Sequence, residues 1–316
     1  MEDLPAKIPS SLEVDSRITR LDDNTFAANL TTNFCIGAVP NGGYVATIFL
    51  RVAREYLSPR RQLDTVVSHW EFLNRTAPGP VVLVVEEVKP GRSMTVLHVS
   101  LYQGALQLDQ HPWITPGKSQ KVVSAYLTNR LIEAEEGLTL STGWSMQPPP
   151  PPPPAQDFEL LRVSALRQMV FYTPRHGQQA GGPSPLDCWM RMLSGERFTN
   201  PDLGFVVDAT AAMIPEAFRP KTRDEPVREG SGFPFNKRFW YPTLAMNMDV
   251  KRALPEEGEE WLFLRTQTKQ IYNGRFDTEV LVLDKHGRLI AISQQTAMMV
   301  DFDRNTKLKA SKESKI

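Results

Sequence analysis

A single carboxylate stands in an apolar stretch in the second half of the chain. Asp208 is preceded by Phe205, Val206 and Val207 and followed by Ala209. A carboxyl group buried among apolar side chains has a raised pKa, because burial disfavours its charged form. A raised pKa suits a general base that works near neutral pH. Two interpretations stay open: Asp208 activates or positions a water molecule, or it faces solvent or caps a local turn.

Two further groups of polar residues lie in stretches typical of strands. Gln295 follows Gln294, and successive residues on a strand face opposite sides of the sheet, so one amide of the two points inward. An inward amide can orient a water molecule or bind a carbonyl oxygen. Asn247 and Asp249 are two residues apart and share a face. They either supply polar groups to a pocket or face solvent while the apolar residues that alternate with them form the core.

Two adjacent glycines open an apolar run that ends at Leu57. Gly42 and Gly43 follow Asn41 and precede Tyr44. The first amides of a helix have no partner within the helix and carry partial positive charge, so they can polarise a carbonyl oxygen as an oxyanion hole. Close packing of a helix on a sheet also requires glycine, and this alternative stays open.

The sequence lacks the motifs of several other kinds of catalytic site. Ser93 and Ser293 have no Gly-x-Ser-x-Gly setting, which argues against a serine-hydrolase elbow. The Cys and His spacings fit no zinc site, and no glycine-rich phosphate loop occurs, so we expect neither a metal nor a cofactor. His69, in a strand-like segment before Trp70, is either a substrate contact or a hydrogen-bonded structural histidine.

The composition narrows the class of protein. The 316 residues suffice for two cores of ordinary size. Lys plus Arg equals Asp plus Glu, at 36 each, so the zero formal net charge argues against nucleic acid or an acidic membrane surface as partner. No signal-like segment follows Met1, and no stretch approaches the about 18 apolar residues of a membrane span. The distant Cys35 and Cys188 are expected to be reduced thiols in an intracellular compartment.

The elements that must position these residues occur twice in the same order. A helix is predicted over 41–57 and a second over 201–218, and strand-like segments follow each. These segments are 63–74, 81–89, 94–103 and 121–130 in the first half, and 158–172, 186–193, 243–250, 260–270, 276–283 and 288–300 in the second. Short turns between them predict hairpins. We therefore expect an α+β fold of two antiparallel sheets, each wrapped around a helix, paired edge to edge or face to face with a ligand tunnel between them.

Composition also divides the chain into domains. We expect a first domain over 1–147, a proline-rich linker over 148–156, a second domain over 157–305 and a polar tail over 306–316. The seven consecutive prolines at 148–154 favour a polyproline II spacer, because proline donates no backbone hydrogen bond. A ligand for SH3 or WW domains is the alternative. Residues 105–120 form a long loop, either functional or a tolerated insertion.

The last three residues resemble a targeting signal. Ser314, Lys315 and Ile316 differ from the peroxisomal address Ser-Lys-Leu only in the exchange of one branched aliphatic residue. We expect a peroxisomal location through an import receptor. The alternative is a charged tail that ends in this tripeptide by chance, with a cytoplasmic location.

Several short motifs follow one another in a fixed order. They are Pro40-Asn41-Gly42-Gly43-Tyr44, Gly79-Pro80, Gly91-Arg92-Ser93 and Gln103 in the first half, and Pro242-Thr243, Glu260-Trp261-Leu262, Asn273-Gly274-Arg275, the stretch 284–287 and Gln295 in the second. Together they resemble the TesB-like acyl-CoA thioesterases, which have a double-hotdog fold. The similarity covers most of the chain and is greatest to the fungal thioesterase-like branch, whose members are often encoded beside biosynthetic enzymes.

The resemblance implies hydrolysis of an acyl-CoA to a free acid and CoA, in fatty acid metabolism or in the biosynthesis of secondary metabolites. In this family an Asp of the central helix, a strand Thr or Ser and a late Gln hold the attacking water, and Asp208 and Gln295 match the first and the last. An ungapped match places Ala245 at the hydroxyl position and Asn247 at a neighbouring Asp. The missing hydroxyl leaves open a dehydratase, cyclase or isomerase, or a protein that only binds an acyl or polyketide ligand.

The candidate site residues fall into a catalytic group and a substrate-binding group. The catalytic residues are predicted to be Asp208, Gln295 and Asn247, and the substrate contacts Gly42, Gly43, Tyr44, His69, Arg92, Asp249 and Arg275. The acyl chain is expected in an apolar tunnel, with Arg92 and Arg275 near the CoA phosphates. The substrate is an acyl-CoA or an acyl-carrier thioester, and a homodimer is expected by analogy.

Overall fold

The computed structural model describes residues 10–152, 158–161, 166–174, 184–220, 222–227 and 232–306. The expected peroxisomal address at Ser314 to Ile316 lies outside the described residues, as do most of the polar tail and part of the proline-rich linker.

Helices are few in the described ranges, and strands dominate. The helices are α1 (Leu12–Asp15), α2 (Gly42–Leu57), α3 (Leu203–Asp208), α4 (Met213–Glu216) and α5 (Asp303–Thr306). The strands are β1 (Ile18–Arg20), β2 (Thr25–Leu30), β3 (Cys35–Ile36), β4 (Val39–Pro40), β5 (Asp64–Glu71), β6 (Gly79–Lys89), β7 (Thr95–Gln103), β8 (Gln120–Arg130), β9 (Phe158–Leu161), β10 (Met169–Pro174), β11 (Leu186–Met192), β12 (Phe239–Trp240), β13 (Thr243–Val250), β14 (Leu262–Gln267), β15 (Ile271–Tyr272), β16 (Arg275–Leu283), β17 (Leu289–Met298) and β18 (Val300–Asp301).

One antiparallel sheet runs through both halves of the chain. Its strand order is β1-β2-β6-β7-β8-β5-β13-β17-β16-β14-β11-β10-β9, and β15 pairs with β16. The two halves meet at β5 and β13, where His69 lies opposite Asn247. The expected α+β double-hotdog architecture is confirmed, with the two sheets joined edge to edge.

The first central helix, α2, is almost wholly buried. Its N-cap is Asn41, whose side-chain oxygen accepts the N–H of Tyr44 at 3.0 Å. Eleven of its 16 residues are buried, and a helix that is apolar on most sides belongs in a core. The predicted helix over 41–57 is confirmed.

The second central helix is shorter than expected. The prediction of one helix over 201–218 is wrong: a 3-10 turn at Asn200–Asp202 leads into α3, and turns separate α3 from α4. Pro215 gives a physical reason, because it has no N–H to donate to residue 211 and its ring would collide with that carbonyl. The break leaves Asp208 at the end of α3.

The two central helices touch backbone to backbone. A Cβ atom on Gly43 would lie 2.7 Å from the Gly204 carbonyl oxygen, and one on Gly204 would lie 2.8 Å from the Thr47 nitrogen. No side chain fits at such distances, so both helices need glycine here. The contact brings the start of α2 against the end of α3.

Other sequence-based boundaries are confirmed or adjusted. The strands predicted at 81–89, 94–103 and 121–130 correspond to β6, β7 and β8, whereas the strand predicted at 158–172 is divided into β9 and β10. The early strands β1 and β2 were not predicted. None of the helices in the described ranges has the length and apolar character needed to span a bilayer.

The described part of the proline run lies against the second half of the sheet. Arg265 Nη1 donates to the Gln147 carbonyl oxygen at 2.5 Å, and the Trp189 indole N–H donates to the Pro151 carbonyl oxygen at 3.1 Å. Arg265 is itself paired with Asp187 at 2.7 Å. The start of this segment is therefore anchored to β11 and β14 by specific hydrogen bonds.

Candidate active site

Asp208 lies where the two central helices meet. Its side chain is buried, with the residue 7% exposed. Oδ2 accepts the N–H of Gly43 at 2.8 Å, and Oδ1 accepts the Thr243 hydroxyl at 3.3 Å. Burial raises the pKa of Asp208, and hydrogen bonds from Gly43, Thr243 and Asn41 oppose this increase only in part. The site thus combines a buried carboxyl group of raised pKa with donors that hold it in place.

Thr243 reaches Asp208 because of a β-bulge. Thr243 pairs with Ala297 of β17, while Ala245 pairs with Thr296, so Leu244 is an extra residue. Directly opposed residues share a face, and the extra residue therefore places Thr243 on the inner face with Gln295. The ungapped match that put Ala245 at the hydroxyl position is corrected, because an alignment without gaps takes no account of the extra residue in the bulge. The hydroxyl beside Asp208 is that of Thr243.

Gln295 points inward and contacts the end of α3. It is 4% exposed, and its Nε2 donates to the Val207 carbonyl oxygen at 2.8 Å. The choice between Gln294 and Gln295 as the inward amide is settled, since Gln294 is exposed. Gln295 contacts the residue before Asp208 and does not line the cavity described below. Its contact with a water molecule stays a prediction.

The two glycines at the start of α2 differ in what their N–H groups do. The N–H of Gly43 is bonded to Asp208, and that of Tyr44 is bonded to its N-cap. The structure gives the N–H of Gly42 no acceptor within the part of the chain it describes, and Gly42 lines the cavity. A Cβ atom on Gly42 would lie 3.3 Å from Asp208 Oδ2. Gly42 therefore lies beside the carboxylate of Asp208 and at the cavity wall.

A cavity of about 1010 Å³ opens beside Asp208. Asp208, Gly42 and Thr243 are among the residues that line it. Most other lining side chains are apolar or aromatic, including Phe72, Leu186, Met213, Phe239, Trp240, Tyr241 and Phe302. Apolar pockets with a few convergent polar groups are typical of small-molecule sites.

Four arginines also line the cavity, and their partners differ. Arg219 is paired with Glu216 at 2.6 Å, and Glu216 also accepts the Tyr241 hydroxyl at 2.5 Å. The guanidinium of Arg238 lies 5.2 Å from the centre of the Phe302 ring, and it forms no ion pair with any carboxylate in the described ranges. Arg75 and Arg167 complete this group, which we call the arginine rim.

Three predicted site residues lie on the opposite face of the sheet, and these predictions are corrected. Asn247 is exposed, and its side-chain oxygen is 2.7 Å from His69 Nδ1. His69 also contacts Glu71 at 3.1 Å, and Asp249 is paired with Lys251. The alternation of β13 explains this placement: Met246, Met248 and Val250 are buried, so the polar residues between them point outward.

Three other predicted substrate contacts are corrected as well. Tyr44 is fully buried, its hydroxyl donates to the Asp15 carbonyl oxygen at 2.6 Å, and its ring stacks on Phe34 at 5.1 Å. It therefore anchors the core. Arg92 is exposed between β6 and β7, Arg275 is exposed at the start of β16, and neither lines the cavity. The arginines that line the cavity are instead those of the arginine rim.

Sequence reasoning missed three parts of the site. Thr243 was visible in the Pro242-Thr243 motif, but the ungapped match placed Ala245 at the hydroxyl position instead. Asn41 was noted only as part of the helix start. The aromatic wall over 239–241 gave no periodic signal, because β12 is a short strand that pairs with β18. Within the described ranges, no three side chains of the types that bind metals converge on one point.

Models of one protein family match both halves of the chain. Residues 30–129 match the N-terminal domain of acyl-CoA thioesterases, and residues 145–299 match their C-terminal domain. The thioesterase-like protein TwmA of Talaromyces wortmannii is 38% identical to this chain, in an alignment 320 positions long that covers 91% of each chain.

Solved structures show the same fold. A protein of unknown function with a hot dog fold from Alicyclobacillus acidocaldarius aligns with a TM-score of 0.67 and 16% identity, over 91% of this chain and 97% of that one. The acyl-CoA thioesterase II TesB2 of Mycobacterium marinum aligns with a TM-score of 0.63 and 19% identity, over 92% of this chain and 98% of that one.

Proposed function

The chain belongs to the acyl-CoA thioesterase family, and from this premise we propose that it hydrolyses an acyl thioester to a free acid and a thiol. The observation that carries the proposal is the Asp208 carboxyl group, buried at the wall of an apolar cavity and held by Gly43 and Thr243. A fold alone does not set the chemistry, whereas the groups at this site can.

In the proposed reaction, Asp208 acts as a general base. Its carboxylate takes a proton from a water molecule while the water oxygen forms a bond with the thioester carbonyl carbon. The tetrahedral intermediate then collapses, the C–S bond breaks, and the leaving sulfur takes up the proton held by Asp208. The Thr243 hydroxyl donates to Oδ1 and so fixes which lone pairs of the carboxylate face the water.

The Gly42 N–H is the proposed donor to the developing oxyanion. It is the amide at the start of α2 that is not engaged by Asp208 or by the N-cap, and it carries the partial positive charge of the helix start. Gly43, by contrast, serves to hold the base. The two glycines thus divide the roles that the sequence assigned to both.

The cavity suggests how a substrate would lie. Its apolar and aromatic wall suits an acyl chain, and the arginine rim suits the phosphates of CoA or of a carrier-bound phosphopantetheine group. Arg238 is the strongest candidate for this contact, because it has no carboxylate partner among the described residues. This assignment replaces the one made for Arg92 and Arg275.

The alternative of a non-hydrolytic enzyme depended on a missing hydroxyl group. Thr243 supplies a hydroxyl at 3.3 Å from Asp208. The hydroxyl group whose apparent absence raised this alternative is therefore present beside the candidate base, and no other observation favours a dehydratase, a cyclase, an isomerase or a pure binding protein.

The test is a panel of acyl-CoAs, from short to long and aromatic, with released thiol measured by a chromogenic disulfide and the acid product by mass spectrometry. We expect equal amounts of thiol and acid with at least one substrate. A product of unchanged thioester content, such as an enoyl-CoA formed by loss of water, would overturn the proposal, and so would binding of every substrate without turnover.

A peroxisomal location through Ser314, Lys315 and Ile316 is a separate proposal, supported by the likeness of these residues to Ser-Lys-Leu. Residues 306–316 fused to a fluorescent protein should accumulate in peroxisomes, and the same fusion with Lys315→Glu should not. Diffuse fluorescence from the unmodified fusion would overturn it.

A further inference from the structure

Among the buried polar atoms that have no hydrogen-bond partner within the described part of the chain, two lie on the adjacent strands β16 and β17. They are the hydroxyl oxygen of Thr278 and Oε1 of Gln295, and both side chains are almost fully buried. Buried polar groups in folded proteins are nearly always hydrogen-bonded, because an unpaired one costs free energy. These two atoms therefore need an explanation.

The two side chains are neighbours on the same face of the sheet. Thr278 of β16 lies directly opposite Gln295 of β17. Cβ atoms of such a pair are separated by about 5 Å, so a threonine hydroxyl and a glutamine amide can reach each other with a small rotation. One side chain has a free donor, the Thr278 O–H, and the other has a free acceptor.

The orientation of the Gln295 amide is already fixed. Its Nε2 donates to the Val207 carbonyl oxygen at 2.8 Å, so Oε1 must be the atom that remains. Neither Oε1 nor the Thr278 hydroxyl is accessible to water. A direct bond between them is therefore the simplest way to satisfy both atoms.

We propose that Thr278 is a positioning residue whose hydroxyl donates to Gln295 Oε1. The result is a hydrogen-bonded chain from Thr278 through the Gln295 amide to the Val207 carbonyl. Val207 directly precedes Asp208, so this chain ties the end of α3 to the sheet and fixes the place of the carboxylate. The inference rests on the proposed function, since it assigns Asp208 the role of base.

The carbonyl groups at the end of a helix lack partners within the helix. The Gln295 amide donates a hydrogen bond to the Val207 carbonyl oxygen, and Thr278 restrains that amide at its other end. Because a shift of about 1 Å in a catalytic group can lower a rate about 10²-fold, a restraint behind the base can affect kcat without touching the substrate.

The first test compares Thr278→Val with Thr278→Ser. Valine keeps the shape of threonine and lacks its hydroxyl, whereas serine keeps the hydroxyl. We expect kcat to fall about tenfold in the valine variant with KM unchanged, and serine to restore most of kcat. Thr296→Val, on the outward face of the strand that carries Gln295, is the matched control and should leave kcat unchanged. Wild-type kcat in a folded Thr278→Val variant would overturn the proposal.

A second test does not depend on activity. Urea midpoints are measured for wild type, Thr278→Val, Gln295→Leu and the double variant. If the bond forms, the valine substitution lowers the midpoint in the wild-type background and has little effect when Gln295 is leucine. Equal shifts in both backgrounds would overturn the bond even if thioester hydrolysis is established. Conversely, a coupled pair in a protein that hydrolyses no thioester would refute the proposed function and leave the bond intact.

Discussion

The amide nitrogen of Gly43 lies 2.8 Å from Oδ2 of Asp208, although 165 residues separate them in sequence. The start of α2 in the first half therefore holds the candidate base at the end of α3 in the second. The reciprocal contact differs, because there Thr47 Oγ1 accepts the N–H of Phe205 at 3.1 Å. A threonine hydroxyl cannot serve as a general base near neutral pH. Of these two contacts between α2 and α3, only the one between Gly43 and Asp208 therefore contains a candidate base.

Replacing Gly43 with alanine should damage both stability and activity. The new Cβ atom would lie 2.7 Å from Asp208 Cβ and from the Gly204 carbonyl oxygen, so the helices must separate. Overpacking of this kind costs about 1–3 kcal/mol of unfolding free energy. Gly137→Ala, at an open position, is the control and should be neutral. Urea unfolding measures the effect; equal midpoints for both variants would contradict the close packing.

The pH dependence should report the buried carboxyl group. Burial raises the pKa of Asp208, and a base works only when deprotonated, so kcat/KM should fall as pH drops through this raised pKa. The acid limb should therefore lie at higher pH than for an exposed aspartate. A limb at or below about pH 4, the range of an unperturbed carboxyl group, would contradict this assignment.

The same pKa shift predicts how stability depends on pH. A group with a higher pKa in the folded state binds its proton more tightly there, so its stabilising effect is complete below the unfolded pKa and is lost as pH rises through the folded pKa. Asp208→Asn removes this dependence. The Tm of the variant minus the Tm of wild type, measured by calorimetry, should increase as pH rises from the pKa of Asp208 in the unfolded state to its higher pKa in the folded state. A difference that is constant or decreases would show that the carboxyl group is not desolvated.

The bulge at Leu244 can be tested through the two residues beside it. Thr243→Val removes the hydroxyl that donates to Asp208 and should lower kcat about 10- to 100-fold, with Thr243→Ser close to wild type. Ala245→Ser places a hydroxyl where the ungapped match expected one, but on the outer face. It should change nothing, and it should not rescue Thr243→Val. If Ala245→Ser restored the activity of Thr243→Val, residue 245 rather than residue 243 would lie on the inner face beside Asp208.

The arginine rim predicts a charge effect on substrate binding. Arg238→Glu should raise KM for an acyl-CoA at least tenfold and have a much smaller effect on a short acyl thioester of N-acetylcysteamine, which has no phosphate. Arg92→Glu makes the same charge change at a distant turn and serves as the control. Steady-state kinetics at low and high salt measure the effect. An equal loss of binding for both thioesters would contradict a phosphate contact.

The sequence was sufficient for those parts of the fold that depend on local patterns. The run of apolar residues predicted α2, and the turn residues between apolar segments predicted the hairpins. Asp208 was found because it matches the Asp of the similar family and because a charged residue is unusual in an apolar helix, and Gln295 because it matches the late Gln of that family. The helix break before Pro215 was encoded locally as well, yet the apolar pattern over 201–218 outweighed it in the prediction.

The parts that failed depend on tertiary context. Asn247 and Asp249 share a face, but which face is buried depends on the neighbouring strands β5 and β17. The position of Thr243 depends on one extra residue, which changes the face of every residue before it. The bond from Gly43 to Asp208 joins two helices distant in sequence, and no local pattern indicates it.

The most direct measurement is thiol release from the best acyl-CoA of the panel by wild type, Asp208→Asn and Asn247→Ala. Loss of a general base lowers kcat about 10²–10⁴-fold, and we expect that loss in Asp208→Asn with the protein still folded. Asn247→Ala should retain wild-type kcat, because Asn247 lies on the outer face. Full activity in folded Asp208→Asn would contradict the assignment of Asp208 as the base.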